Sequence, residues 1–196
     1  LNNGSFYFKR NFLNSIISQT NHLKKNIKFE KNYSSRVEVL TALLLTGLVF
    51  KEYEDNYKIA KKELEKLIIE FFDDDGFPLS RNPSDLVFFS RYLILCKECI
   101  KDAQQYMPEF LEEIIDKNIS CMKAIITPSD QVPLFNGGVE ESLENLEKYL
   151  ENIKNRFKKN EKIVGGIQKL RFKNNEVFFD VGNPPKKDFS RSYQSG

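Results

Sequence analysis

Val37-Glu38-Val39-Leu40-Thr41-Ala42-Leu43-Leu44-Leu45-Thr46-Gly47-Leu48-Val49-Phe50 is the stretch that decides the fold class. Val37, Leu40, Leu43, Leu44, Gly47 and Leu48 make a helix that is apolar nearly all round, as in a helix buried between neighbours. The run falls short of the ~18 apolar residues of a membrane span. Upstream, Phe12, Ile16, Leu23 and Ile27 step at helical spacing, which predicts a helix over Ser5–Lys31. Ser34 or Ser35 is the expected cap of the helix that follows. Downstream, Tyr57, Ala60, Leu64, Leu67, Ile68 and Phe71 form the stripe of a third helix.

Asp73–Pro83 interrupts the pattern with Asp73, Asp74, Asp75, Gly76, Pro78 and Pro83. Asn82 before Pro83 reads as an N-cap followed by proline at the first helical position. A fourth helix then carries Leu86, Phe89, Leu93, Cys96 and Ile100. Pro108 opens a fifth, with Phe110, Leu111, Ile114, Ile115, Ile119 and Met122 inward. After a loop over Thr127–Gly138, Val139, Leu143, Leu146, Leu150, Ile153 and Phe157 mark a sixth. The helices are expected to pair as antiparallel hairpins.

Beyond Asn160 the period changes. Ile167–Phe172 and Glu176–Val181 are short, rich in Phe and Val, and separated by Lys173, Asn174 and Asn175, which predicts a β-hairpin. A lone hairpin is marginal in water, so this one is expected to belong to a larger sheet. The chain therefore reads as a helical unit over 1–160 and the start of a sheet unit over 161–196. It begins at Leu1, and it is expected to be a piece of a longer protein.

Composition narrows the classes. The chain has 196 residues, 17 of them Phe, and a net charge of +2, so no global field favours nucleic acid or an anionic membrane. Three cysteines, Cys96, Cys99 and Cys121, do not make a disulfide framework. Cys96 and Cys99 have metal-ligand spacing but lie in an apolar helical run, where small buried residues are the better reading, so no metal site is expected. His22, the only histidine, sits beside a helix stripe. Neither a P-loop nor a GxGxxG fingerprint occurs, and no cofactor is expected. Asp73, Asp74 and Asp75 read as a solvated turn, since three consecutive residues rarely converge on one ion.

Two loops remain as candidate sites. In the first, Arg81 can act as a fork for a carboxylate or sulfate near a helix N-terminus; spacing alone favours the plainer role of a helix–helix connection with a cap. In the second, Pro133-Leu134-Phe135-Asn136-Gly137-Gly138, Asn136 can bond sugar hydroxyls, against the plainer reading of a turn before a helix.

Three blocks occur in series: Asp75-Gly76 through Ser80-Arg81-Asn82-Pro83, then Pro133-Leu134-Phe135-Asn136-Gly137, then Gly166-Ile167-Gln168-Lys169-Leu170 with Phe179-Asp180-Val181-Gly182-Asn183-Pro184-Pro185. Together they resemble the heparinase II/III-like family over nearly the whole chain. The resemblance implies the last helical pairs of an incomplete (α/α) toroid, followed by the first strands of an antiparallel β-sandwich. It implies a bacterial protein of the periplasm or cell envelope whose partner is an acidic polysaccharide or oligosaccharide. It also implies lyase chemistry: cleavage of uronic-acid-containing chains by β-elimination. In that reaction an Asn or His neutralises the uronate carboxylate, and a Tyr or His removes the C5 proton. The C5–H is not acidic until its carboxylate is neutralised, and the base must lie within hydrogen-bond reach.

The resemblance carries Arg81, Asn82 and Asn136 over as substrate-binding residues. It does not carry over the catalytic set. Ser34-Ser35 stands where an Asn-His pair is usual, Asp85 stands where a Tyr is usual, and Ser192–Gly196 lacks the usual His. Tyr33, Tyr92 and Asp85 are the substitute candidates for a base. The alternative is a non-catalytic relative that binds envelope glycan or helps to assemble it.

Overall fold

The computed structural model describes residues 6–141, 143, 146–152, 163–173, 175–185 and 189. The described chain is mainly helical. In order come α1 (Phe6–Asn26), α2 (Tyr33–Val49), α3 (Glu54–Phe71), α4 (Pro83–Asp102), α5 (Glu109–Ile125) and a short α6 (Glu147–Asn152). A small antiparallel sheet of β1 (Ile163–Val164), β2 (Ile167–Phe172) and β3 (Asn175–Asp180) follows, in that spatial order. Among the described residues no helix is long and apolar enough to cross a membrane.

The all-round apolarity of α2 has a packing cause: it touches α1, α3 and α4. Val37, Leu40, Leu43 and Leu44 are buried in one core with Leu64, Leu67, Leu86, Phe89 and Leu93. Gly47 lets α3 cross closely, since a Cβ there would lie 2.3 Å from the Tyr57 backbone nitrogen. Backbone cannot rotate aside as a side chain can. Gly47→Ala should therefore cost about 1–3 kcal/mol through overpacking, read as a lower denaturant midpoint.

Helix ends show where sequence reading slipped. The cap of α2 is Asn32, whose Oδ1 accepts from Ser35 N at 3.0 Å; it is not Ser34 or Ser35, which lie in the first turn. Asn32 wins because its extended backbone places the side chain over the first turn while its carbonyl takes Arg36 N at 2.9 Å. At α4 the expected cap holds, with Asn82 Oδ1 accepting from Ser84 N at 2.8 Å and Pro83 opening the helix. The first helix stops at Asn26 and gives way to a 3-10 turn over Ile27–Phe29.

The expected sixth helix is shorter than its apolar spacing suggested. Val139 and Leu143 lie in a loop, and Ile153 and Phe157 fall outside the described residues. Ser84 Oγ donates to Val139 O at 2.7 Å and accepts from Val139 N at 2.8 Å, so α4 takes the backbone groups that a helix would use. Leu143 and Leu146 still reach the core, which explains their apolar spacing.

The hairpin forms in register, with Leu170 opposite Val177 and Phe172 opposite Asn175. Asn175 thus belongs to β3 rather than to the connection. The two-residue strand β1, too short to carry an alternation, pairs Val164 with Ile167 across Gly165-Gly166. Those glycines have φ of +55° and +77°, the primed-turn conformation that L side chains disfavour. Val164 and Ile167 pack into the core, and Lys169 Nζ donates to Ile126 O at 2.8 Å. Alternation puts Leu170, Phe172, Val177 and Phe179 on the opposite face, where they are 41–71% exposed.

Candidate functional site

The loop between α3 and α4 is built by its own side chains. Asp73 Oδ1 accepts from Phe77 N at 2.7 Å and Asp75 N at 3.1 Å, closing a tight turn. Gly76, at φ +84°, passes so close to α5 that a Cβ would meet Lys117 Cβ at 2.4 Å. Phe77 is fully buried at the tip. Arg81 then adopts φ +58°, a left-handed conformation uncommon for arginine.

That conformation delivers the Arg81 side chain to the sheet. Its Nε donates to Gly165 O at 3.2 Å and its Nη1 to Asn183 O at 2.6 Å. Nη2 forms an ion pair with Asp180 Oδ1. The side chain is 11% exposed. Gly166 and Gly182 are required by this approach: a Cβ on either would lie 2.6 Å or 2.4 Å from Arg81 Nη2.

The second loop joins the same junction. Asn136 and Gly137 have φ of +54° and +79° and form a primed turn closed by Gly138 N to Phe135 O at 2.9 Å. Asn136 Nδ2 donates to Arg81 O at 2.9 Å and Asp180 Oδ2 at 3.2 Å. Both loops therefore sit at one end of the bundle, as alternating helices require, and all three sequence blocks meet there. Beside them lies an open cleft of about 420 Å³, lined by Asp73, Asp75, Leu79, Ile163, Asn183 and Pro184 among others.

The candidate substrate-binding residues thus hold the chain's own groups. Arg81 clamps the sheet, Asn82 caps α4, and Asn136 ties the second loop to both. The residue that sequence reading missed is Asp180. Its signal was its place in the third block, opposite Ile167 across the β2–β3 hairpin, but a lone Asp at a strand end has no separate mark.

Each candidate base has its own local partners. Tyr33 opens α2, with its ring 5.1 Å from Phe71 and 5.3 Å from Phe189 and with Arg36 Cζ 5.6 Å from its centroid. Tyr92 donates its hydroxyl to Glu38 Oε1 at 2.9 Å. Burial, then the Glu38 bond and charge, push its phenol up, the wrong direction for a base at neutral pH. Asp85, in the first turn of α4, accepts from Ser80 Oγ at 2.5 Å. Burial pushes its carboxyl up, against the pull of the Ser80 bond. Asp73 shifts the same way, also by burial, partly offset by the N–H of Phe77.

An upward shift means that the native chain binds the proton more tightly than the unfolded chain, so this contribution to stability grows as pH falls through the native pKa. Asp85→Asn should flatten the pH–stability curve just above the ordinary carboxylate range. Denaturant melts at several pH values around 4–6 check this; an unchanged slope would contradict it. The buried thiol of Cys96 is pushed up to about 11 and meets Thr41 Oγ1 at 3.5 Å, so it is a protonated packing residue. Among the described residues no group of His, Cys, Asp and Glu is placed to hold a metal ion.

Compared with family models, with curated proteins and with solved structures, the chain matches none of them.

Proposed function

We propose that this chain is the helix-to-sheet junction of a heparinase II/III-like protein that acts on acidic polysaccharide. On this reading the helices are the closing pairs of an incomplete (α/α) toroid, and β1–β3 begin an antiparallel β-sandwich. The observation that carries it is the convergence of the three blocks on Arg81, Asn136 and Asp180. Three blocks spread over residues 75–185 share one junction, as segments of one architecture would. The apolar outer face of the sheet supports it too, because Leu170, Phe172, Val177 and Phe179 suit a second sheet packed on them.

The reaction on this reading is β-elimination at a uronate. A neutralised carboxylate makes the C5 proton removable by a base, the C4–O bond breaks as a double bond forms between C4 and C5, and the leaving oxygen takes up a proton from the general acid. The protein acts in the periplasm or envelope. The second reading, a non-catalytic glycan-binding relative, is favoured by one observation: the usual Asn-His pair and Tyr are replaced by Ser34-Ser35 and Asp85, and Asp85 accepts from Ser80 Oγ at 2.5 Å. The full-length protein should be assayed for unsaturated-uronate absorbance against alginate, polygalacturonate and heparan-type chains. Absorbance growing with time supports the lyase. Saturable binding without absorbance supports the second reading, and neither outcome on any acidic chain removes both.

A further inference from the structure

We propose that Asn136-Gly137 is a deamidation site gated by the helix–sheet junction: the closed fold protects the Asn136 amide, local opening exposes it, and the product stops the junction from closing again. The turn itself selects the chemistry. A two-residue primed turn needs positive φ at both central positions, and Asn136 and Gly137 supply it at +54° and +79°. Asn-Gly suits that turn because Asn tolerates the left-handed region and Gly has no side chain. The missing side chain also leaves the Gly137 nitrogen open to attack on the neighbouring amide carbon. Gly137 is exposed, and among the described residues no acceptor takes its N–H.

The reaction needs only water. The Gly137 nitrogen loses its proton to solvent and bonds to Asn136 Cγ. The Cγ–Nδ2 bond breaks, and Nδ2 leaves as ammonia with a proton taken from solvent. The five-membered succinimide then adds water at either carbonyl, which leaves aspartate or isoaspartate at position 136. No atom is oxidised or reduced.

The closed fold blocks this path. Asn136 Nδ2 donates to Arg81 O at 2.9 Å and to Asp180 Oδ2 at 3.2 Å. Both partners are acceptors, so they fix which end of the amide is nitrogen. The amide leaves both partners when Cγ turns onto the Gly137 nitrogen, so attack waits on local opening. The product then acts on the same contacts. A carboxylate oxygen stands where a donor was, facing Arg81 O and Asp180 Oδ2. Two acceptors lose their donor, and two like charges meet. Isoaspartate also lengthens the backbone of a two-residue turn. Asp180 is the carboxylate that Arg81 Nη2 grips, so the change reaches the clamp between helices and sheet.

The test is peptide mapping by mass spectrometry after this protein is incubated at mildly alkaline pH, in buffer and in urea. The chain carries Asn-Gly twice, at Asn3-Gly4 and Asn136-Gly137, so the two peptides are read separately. Conversion of Asn136 should be slower in buffer than in urea by about tenfold or more, the factor that one or two hydrogen bonds place on opening. Arg81→Lys in buffer should move the rate toward that in urea. Equal rates in buffer and urea would overturn the gate, as would an unchanged rate in Arg81→Lys. No conversion in urea would overturn the site. Melting curves test the product. Asn136→Asp should melt below the parent, and its drop should be smaller in an Asp180→Asn background, where the facing carboxylate is neutral. A parent-like melt for Asn136→Asp would overturn the block on closure, and equal drops in the two backgrounds would overturn the charge contact with Asp180 as its cause.

Discussion

Phe77→Ala will cost the fold about 3–5 kcal/mol, the range for removing a buried phenyl ring. Phe77 is fully buried although it stands at the tip of an exposed-looking loop. A Cβ on Gly165 would lie 2.1 Å from Phe77 Cδ1, so the ring is wedged under the β1–β2 turn. Its backbone is fixed as well, with its nitrogen donating to Asp73 Oδ1 at 2.7 Å and its carbonyl accepting from Asp73 N at 2.9 Å. The loop cannot collapse into the vacated space without breaking these bonds, so the cavity persists. Denaturant unfolding measures the loss. A cost below about 1 kcal/mol would mean that the sheet settles freely onto the loop and that the ring is not its floor.

Leu44→Ala should cost about 2–5 kcal/mol and should exceed Cys96→Ala. Both residues are buried in the same core, at 1% and 0% exposure, so burial does not separate them. Volume does: leucine loses three carbon atoms, cysteine a single sulfur, and the penalty grows with the cavity left. The helix around Leu44 is contacted on three sides, by α1, α3 and α4, which limits relaxation. Midpoints of the two variants decide the order. A larger loss at Cys96, reproduced by treating the parent with a chelator, would contradict the packing assignment of that thiol.

The helices were legible where burial set their pattern. In α2, α3, α4 and α5, core contact repeats with the helical period, and the apolar residues record it directly. The loop after α5 was misread because Val139, Leu143 and Leu146 have helical spacing for another reason: two of them reach the core from irregular chain, and Ser84 holds the third. The cap at Asn32 was missed because Ser34 and Ser35 have the same chemistry only two or three residues away. Sequence places candidates; which one takes the extended conformation depends on where the preceding chain arrives.

In the candidate site the cap role of Asn82 was legible, whereas Arg81 and Asn136 were legible as residues but not as roles. Arg81, Asn82 and Asn136 were picked out by unusual local sequence, and that sequence is unusual because the backbone is: Arg81 and Asn136 both have positive φ. Arg81 could serve a ligand or the chain itself, and in this fold its partners are the chain's own groups. Those partners, Gly165 O, Asn183 O and Asp180, lie 84 to 102 positions away from Arg81. No local pattern in the sequence reports that distance.

The most direct test of this junction is Arg81→Lys in this protein, with a melting curve and a calorimetric titration of tetragalacturonate on the same sample. Lysine keeps the charge but cannot reproduce a planar fork that reaches Gly165 O, Asn183 O and Asp180 together. Two or three hydrogen bonds are lost, worth about 2–3 kcal/mol in all. The account predicts a melting temperature lower by on the order of 5 °C, with affinity per folded molecule unchanged. An unchanged melting temperature with affinity lost would contradict it, and would make Arg81 a ligand-binding residue rather than the clamp between helices and sheet.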